Sequence, residues 1–231
     1  AADANNDTLS IAVNRTLTLA STGTLTIVDS GTDAITGAGR LTYKPSTSFP
    51  TTGTVDSIVR FDATDNVQTV GVRTYGGAVE VYNSGGTSRV VTAAAGTLAF
   101  SSTLDLSRAD TATVTLELNT NDPTTTVSGA LTIGTGTTFS ANSANAFNIN
   151  GNYTNNGTFT HNSGIVTLAG AAQQTLAGTM TGGSAFNTLT ITNASGSDPD
   201  ASPSVIFSAA ATASTFNAVT ASTKLRFAAS T

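Results

Sequence analysis

The stretch "GNYTNNGTFTHNSGIVTLAG", residues 151–170, decides how the rest of the chain is read. Short runs of Thr and apolar residues alternate, and Asn and Gly interrupt them every few positions. Tyr153, Phe159, Val166 and Leu168 are spaced to point inward from successive short strands, while Thr154, Thr158 and Thr160 occupy the opposite face. The Asn156-Gly157 and Asn162-Ser163-Gly164 groups turn the corners, since Asn and Gly tolerate the backbone angles that tight turns need.

The same pattern extends in both directions. Period-2 alternation marks strands in "TLTLA" (16–20), "TLTIV" (24–28), "TVTLEL" (113–118), "ALTIG" (130–134), "FNING" (147–151), "TLTIT" (188–192) and "KLRFA" (224–228). The Ala-rich stretches around Ala93 and Ala209 are the only helix-tolerant ones, and both are short. The chain is therefore expected to be all-β. Its inward set is read as Leu17, Leu19, Leu25, Ile27, Phe61, Val79, Val81, Leu104, Leu106, Leu116, Leu118, Leu131, Ile133, Phe147, Ile149, Phe159, Val166, Leu168, Leu189, Ile191, Phe207, Leu225 and Phe227.

A longer repeat overlies the strands. The segment from Ile58, "IVRFDATDNVQTVGVRTYGGAVEVYNSGG", can be laid on the segment from Ile165, which brings Gln68 onto Gln174 and Val79-Glu80-Val81 near Leu189-Thr190-Ile191. That offset suits a module of several coils. It divides the chain into an N-terminal β region (1–54) with a longer loop at "LTYKPSTSFPTTGTV", a first module (55–164) and a second, partial module (165–231). The architecture expected is a parallel β-solenoid of short coils, with two-sheet β-sandwich modules as the alternative, because the repeat is also about the length of an immunoglobulin-like domain.

Composition narrows the function. Thr supplies 46 of the 231 residues and charged side chains only 10%, against about 25% in an ordinary soluble domain. The chain stays hydrated through hydroxyls and amides. A net charge of -5, with nine basic residues scattered singly, argues against nucleic-acid binding. No apolar run approaches the roughly 20 residues of a membrane-spanning helix. The opening "AADANNDT" suits either the residue after a removed signal peptide or an internal fragment. Cysteine is absent, which removes disulfides, thiolate metal sites and thiol nucleophiles.

Units such as "GTLAFSSTLDL", "GIVTLAGAAQQTLAG" and "FNTLTITNASG" resemble the β-strand repeat regions of very large bacterial surface and secreted proteins. They are similar to the β-solenoid shafts of haemagglutinin-like adhesins and autotransporters, over most of the chain from about residue 55. The resemblance implies a shaft, spacer or wall at the cell surface or outside the cell, with no catalytic residues to carry over.

Candidates for chemistry are few. His161, the one histidine, falls at a turn without partners for catalysis. Asp62 with Asp65, and Asp198 with Asp200, are the closest carboxylate pairs that a glycosidic site would need, but no Trp and no cluster of Lys and Arg is present to hold such a substrate; Asp198 and Asp200 would also suit calcium, although "SGSDPDAS" (195–202) reads more simply as a solvated, Pro-containing loop. Lys44 and Lys224 are the only lysines that could form a Lys–Asn crosslink. Sequons at Asn6, Asn14, Asn152, Asn156 and Asn193 follow from the Thr content. Thr-x-Thr triplets are one way a solenoid face matches ice. Here they do not recur at a constant coil length, and β-propensity accounts for them. No catalytic, cofactor or metal site is expected, and the chain is not expected to be an enzyme.

Two classes of function remain. One is a structural, extracellular subunit or module of a self-assembling filament, sheath or stalk. Its partner is itself, head to tail through terminal strands, because both ends of the sequence run into β pattern without Pro, charge clusters or a covering helix. The other is an adhesin or carbohydrate-binding module with a glycan or surface ligand.

Overall fold

Leu9, Ile35, Val55, Tyr75, Phe100, Val127, Ile149, Leu168, Ile191 and Ala218 form one continuous ladder of parallel pairs. Each rung is one turn of a parallel β-solenoid, seen in a computed structural model that describes residues 8–25, 34–50, 54–62, 67–220 and 222–228. Three sheets wrap a common core. Sheet 1 has ten strands and runs from Thr8–Ser10 to Ala213–Ala218; sheet 2 has ten and runs from Thr16–Leu19 to Leu225–Phe227; sheet 3 has five, from Val67–Val70 to Thr158–Thr160. Every strand pair in the three sheets is parallel, which excludes the sandwich alternative. At about 4.8 Å per rung, ten rungs span about 43 Å.

The strands form where alternation was read. "TVTLEL" contributes Val114–Glu117, "FNING" Phe147–Ile149 and "TLTIT" the last residues of Phe186–Ile191. Of "TLTIV", only Thr24 and Leu25 lie within the described residues, and they are not in a strand. The one helical element among the described residues is a single 3-10 turn, Gly182–Ser184, which replaces a strand on the third wall and ties to Phe159 when the Phe159 N–H donates to Ser184 Oγ at 3.1 Å.

Inside the coils the side chains stack in columns. In the opening stretch Tyr153, Phe159, Val166 and Leu168 are all buried, and Thr154, Thr158 and Thr160 face outward. Two aromatic clusters anchor the core. Tyr43, Phe49, Phe61 and Tyr75 meet mostly edge to face, with Phe49 and Tyr43 centroids 5.0 Å apart. Phe139, Phe147, Tyr153, Phe159 and Phe186 form the second, in which Phe139 and Phe147 stack at 5.2 Å. Phe49 comes from the loop "LTYKPSTSFP", so that loop partly supplies a wall, with Ser48 bridging in parallel to Thr69.

The inward set needs correction at the two ends. Leu17 is 42% exposed and Phe227 64% exposed, although both sit in inward columns, opposite Leu41 and Phe207 respectively. They belong to the first and last described coils, and among the described residues no further coil covers them. Leu19, Leu25 and Leu225 are half-buried against the core for the same reason, and Ile27 lies outside the described residues.

The corners differ from expectation in mechanism. At residues 162–164 the positive φ angles belong to Asn162 (45°) and Ser163 (63°), not to Gly164. Gly164 is required by close approach, because a Cβ there would lie 2.0 Å from the Asn142 carbonyl oxygen one coil away. Buried amides close other corners. Gln68 Nε2 donates to the Tyr43 and Pro45 carbonyls at 2.8 and 2.9 Å, and Gln174 Nε2 donates to those of Ile149 and Gly151 at 2.9 and 2.8 Å. The repeat alignment superposed these two glutamines. They do the same work on different walls, Gln68 in sheet 3 and Gln174 in sheet 2.

Candidate functional surfaces

The residues singled out for chemistry are occupied in holding turns. His161 is half-buried, and its Nδ1 accepts the Ser163 N–H at 2.8 Å while its carbonyl accepts the Gly164 N–H. Asp62 is buried, paired with Lys44 Nζ at 2.9 Å, and accepts from both the N–H and the hydroxyl of Ser84. Its presumed companion Asp65 lies outside the described residues. Asp198 accepts the N–H groups of Ala201 and Asp200 at 2.7 and 2.8 Å, and those bonds hold its carboxyl below the ordinary range. The loop thus closes on itself, and among the described residues no group of three or more His, Cys, Asp or Glu is arranged to hold a metal ion.

The crosslink and sequon candidates separate by burial. Lys44 is engaged by the Asp62 carboxylate, and Lys224 flanks Asp198. Asn14, Asn152 and Asn156 are exposed, with Asn14 in a turn at φ 59°. Asn193 is fully buried, its amide donating to the Ala172 carbonyl at 2.8 Å and to Gln174 Oε1 at 3.0 Å, so a glycan there is incompatible with the fold. Asn6 lies outside the described residues.

One charged cluster was not foreseen. On the outer side of sheet 2, Arg60, Glu80 and Asp105 are consecutive rungs of one column. Arg40 and Arg60 both pair with Glu80, at 2.9 and 2.5 Å, and the Arg60 guanidinium lies 4.0 Å over the Tyr82 ring. Burial holds the Asp105 carboxyl above the ordinary range; the Ser107 hydroxyl opposes this and neighbouring Glu80 adds to it. Arg40 and Glu80 are 40 residues apart, and only the intervening coil lengths bring them together.

The three walls differ in charge. Sheet 2 strands carry Arg40, Arg60, Glu80, Asp105, Arg108 and Arg226, and sheet 3 strands carry Arg89 and Glu117. Among the described residues, no strand of sheet 1 contains a charged residue.

Both ends of the described coils expose apolar side chains. Leu9, Val13 and Leu17 are exposed at the first coil, and Phe216, Val219 and Phe227 at the last. A shallow hollow at the first end is lined by Leu9, Ile11 and Leu17, and another at the last end by Leu189, Phe207, Phe216 and Phe227. No helix among the described residues is long and apolar enough to cross a membrane. Comparison with protein-family models, curated proteins and solved structures returns no match.

Proposed function

We propose that the chain is a structural, extracellular module of a filament, sheath or surface stalk, joined head to tail to further copies or tandem modules, and that it has no enzymatic activity. The observation that carries this reading is the state of the two ends. Among the described residues, a strand of sheet 1 and a strand of sheet 2 at each end have no neighbour on one side, and inward columns finish in exposed Leu or Phe. A strand edge with unpaired backbone groups over apolar side chains is a template for further pairing. A second copy stacked on the last coil would continue both sheets and cover Phe216 and Phe227. Such heterologous contacts propagate rather than close. The Thr, Asn and Gly richness and the likeness to bacterial β-strand repeats support an extracellular, bacterial setting.

Sedimentation and electron microscopy of the purified chain test this reading. Concentration-dependent growth into fibres of uniform width is expected, and Phe227→Lys should suppress it without altering the circular dichroism. A chain that stays monomeric at millimolar concentration would refute it.

The second reading, an adhesin module, draws on the Arg60–Tyr82 stack, since a cation over an aromatic ring on an outer wall is suited to contact with a sugar or surface ligand. Glycan-array binding that disappears in Tyr82→Ala would favour it over the shaft.

A further inference from the structure

The outer face of sheet 1 carries an ordered array that the sequence conceals. Ala99, Thr126, Asn148, Thr167, Thr190 and Asn217 occupy six successive rungs of one outward column. Two residues earlier, Thr97 is paired with Thr124, and Ile165, Thr188 and Thr215 follow one another in a second column, which is interrupted between these two groups at Ala146, just before the strand Phe147–Ile149. Rungs repeat at about 4.8 Å along the axis, and the columns stand about 6.6 Å apart along each strand.

Irregular coil length does not spoil this register. Consecutive rungs are 27 residues apart between Phe100 and Val127 but 19 between Ile149 and Leu168, yet Thr126 and Thr167 share a column. The extra residues are accommodated between the sheet 1 strands. Two Thr-x-Thr triplets, Thr124-Thr125-Thr126 and Thr188-Leu189-Thr190, thus fall in the same two columns, three rungs apart, with Thr167 in line between them; other triplets, such as Thr16-Leu17-Thr18 and Thr158-Phe159-Thr160, lie on sheets 2 and 3.

Three further observations narrow the ligand. Among the described residues, the wall has no charged residue in any of its ten strands, in contrast to sheets 2 and 3. Its aromatic residues Tyr75, Phe100, Phe147 and Phe186 are buried, and Phe216 lies in the inward column with Leu189, so among the described residues no strand of this wall presents a ring outward for a sugar to stack on. Among the described residues, no side-chain hydrogen bond engages the hydroxyls of Thr167, Thr188 and Thr190. Threonine has few χ1 states, so its methyl and hydroxyl are presented with little freedom to lose on binding.

We propose that this face binds ice, its two columns holding a layer of ordered water in which the hydroxyls replace lattice waters and the methyls sit between them. Uncharged groups suit that task, because a surface charge orients water about itself rather than along a lattice. The activity goes beyond the shaft reading and requires no assembly, since one chain carries the whole array.

The test uses the purified 231-residue chain, dilute enough to be monomeric, in an ice-recrystallisation assay and as a fluorescently labelled protein on a single ice crystal. The chain should arrest recrystallisation and label defined crystal planes. Thr167→Lys with Thr190→Lys should abolish both effects while circular dichroism and unfolding midpoint stay unchanged. The matched pair Thr138→Lys with Thr158→Lys, on the outer side of sheet 3, should leave them intact. An inactive wild-type chain, full activity in the sheet 1 variant, or equal loss in the sheet 3 variant would each overturn the proposal. So would retention on insoluble cellulose or chitin without any effect on ice.

Discussion

Phe227 lies directly on Phe207, with ring centroids 4.8 Å apart and planes within 12° of parallel, yet Phe207 is buried to 2% exposure and Phe227 is 64% exposed. The two occupy the same column in successive coils. One additional coil makes the difference between a core residue and a surface one, which is the general condition of a solenoid: each coil is buried by its neighbours.

This relationship predicts unequal effects for equal substitutions. Phe207→Ala should cost about 3–5 kcal/mol, as for a buried aromatic. Phe227→Ala in the isolated chain should cost about 0.5–1.5 kcal/mol, the contribution of a stacked pair without full burial. Urea unfolding of both variants checks the difference, and equal costs would mean that Phe227 is covered in solution.

The two faces of the opening stretch should separate in the same way. Phe159 packs between Tyr153 and Phe186, at 6.1 and 5.4 Å, so Phe159→Ala is expected to cost about 3–5 kcal/mol. Thr158 is exposed, and Thr158→Ala should stay within about 0.5 kcal/mol. Thermal unfolding distinguishes the two.

Gln174 joins four groups. Its Nε2 donates to the Ile149 and Gly151 carbonyls, and its Oε1 accepts from the Gly170 N–H and Asn193 Nδ2, each at 3.0 Å. Gln174→Leu keeps the volume but removes the partners, at about 1–3 kcal/mol for each buried group left unpaired. The urea midpoint should fall with no change in m-value, because the same surface is exposed on unfolding.

Asp105 gives a pH dependence of defined sign. Its carboxyl is held above the ordinary range, chiefly by burial, so the folded chain binds the proton more tightly than the unfolded one. The ionised side chain therefore costs stability at neutral pH, and that cost disappears as pH falls below the unfolded value of about 3.9. Asp105→Asn should raise the unfolding midpoint at pH 7 and make no difference near pH 3. A variant less stable than wild type at pH 7 would show that the Asp105 charge is compensated by Arg60.

The sequence by itself determined the all-β class and, where alternation is clear as in Val114–Glu117 and Phe147–Ile149, the strand and the side of it that faces the core, because alternation along a strand is a local property with a period of two residues. Tyr153, Phe159, Val166 and Leu168 could be read that way with no knowledge of neighbours. It also excluded thiol chemistry outright, since cysteine is absent. What lay beyond reach was the stacking. Coils of 19 to 27 residues have no fixed period, so nothing local says that Arg60 and Glu80 share a column, or that Thr126 falls in line with Thr167. The alignment of Gln68 with Gln174 captured a shared chemical role and not a shared wall. Tertiary structure alone decided these matters, and the exposure of Leu17 and Phe227 with them, because burial in a solenoid depends on the next coil and not on the residue's own strand.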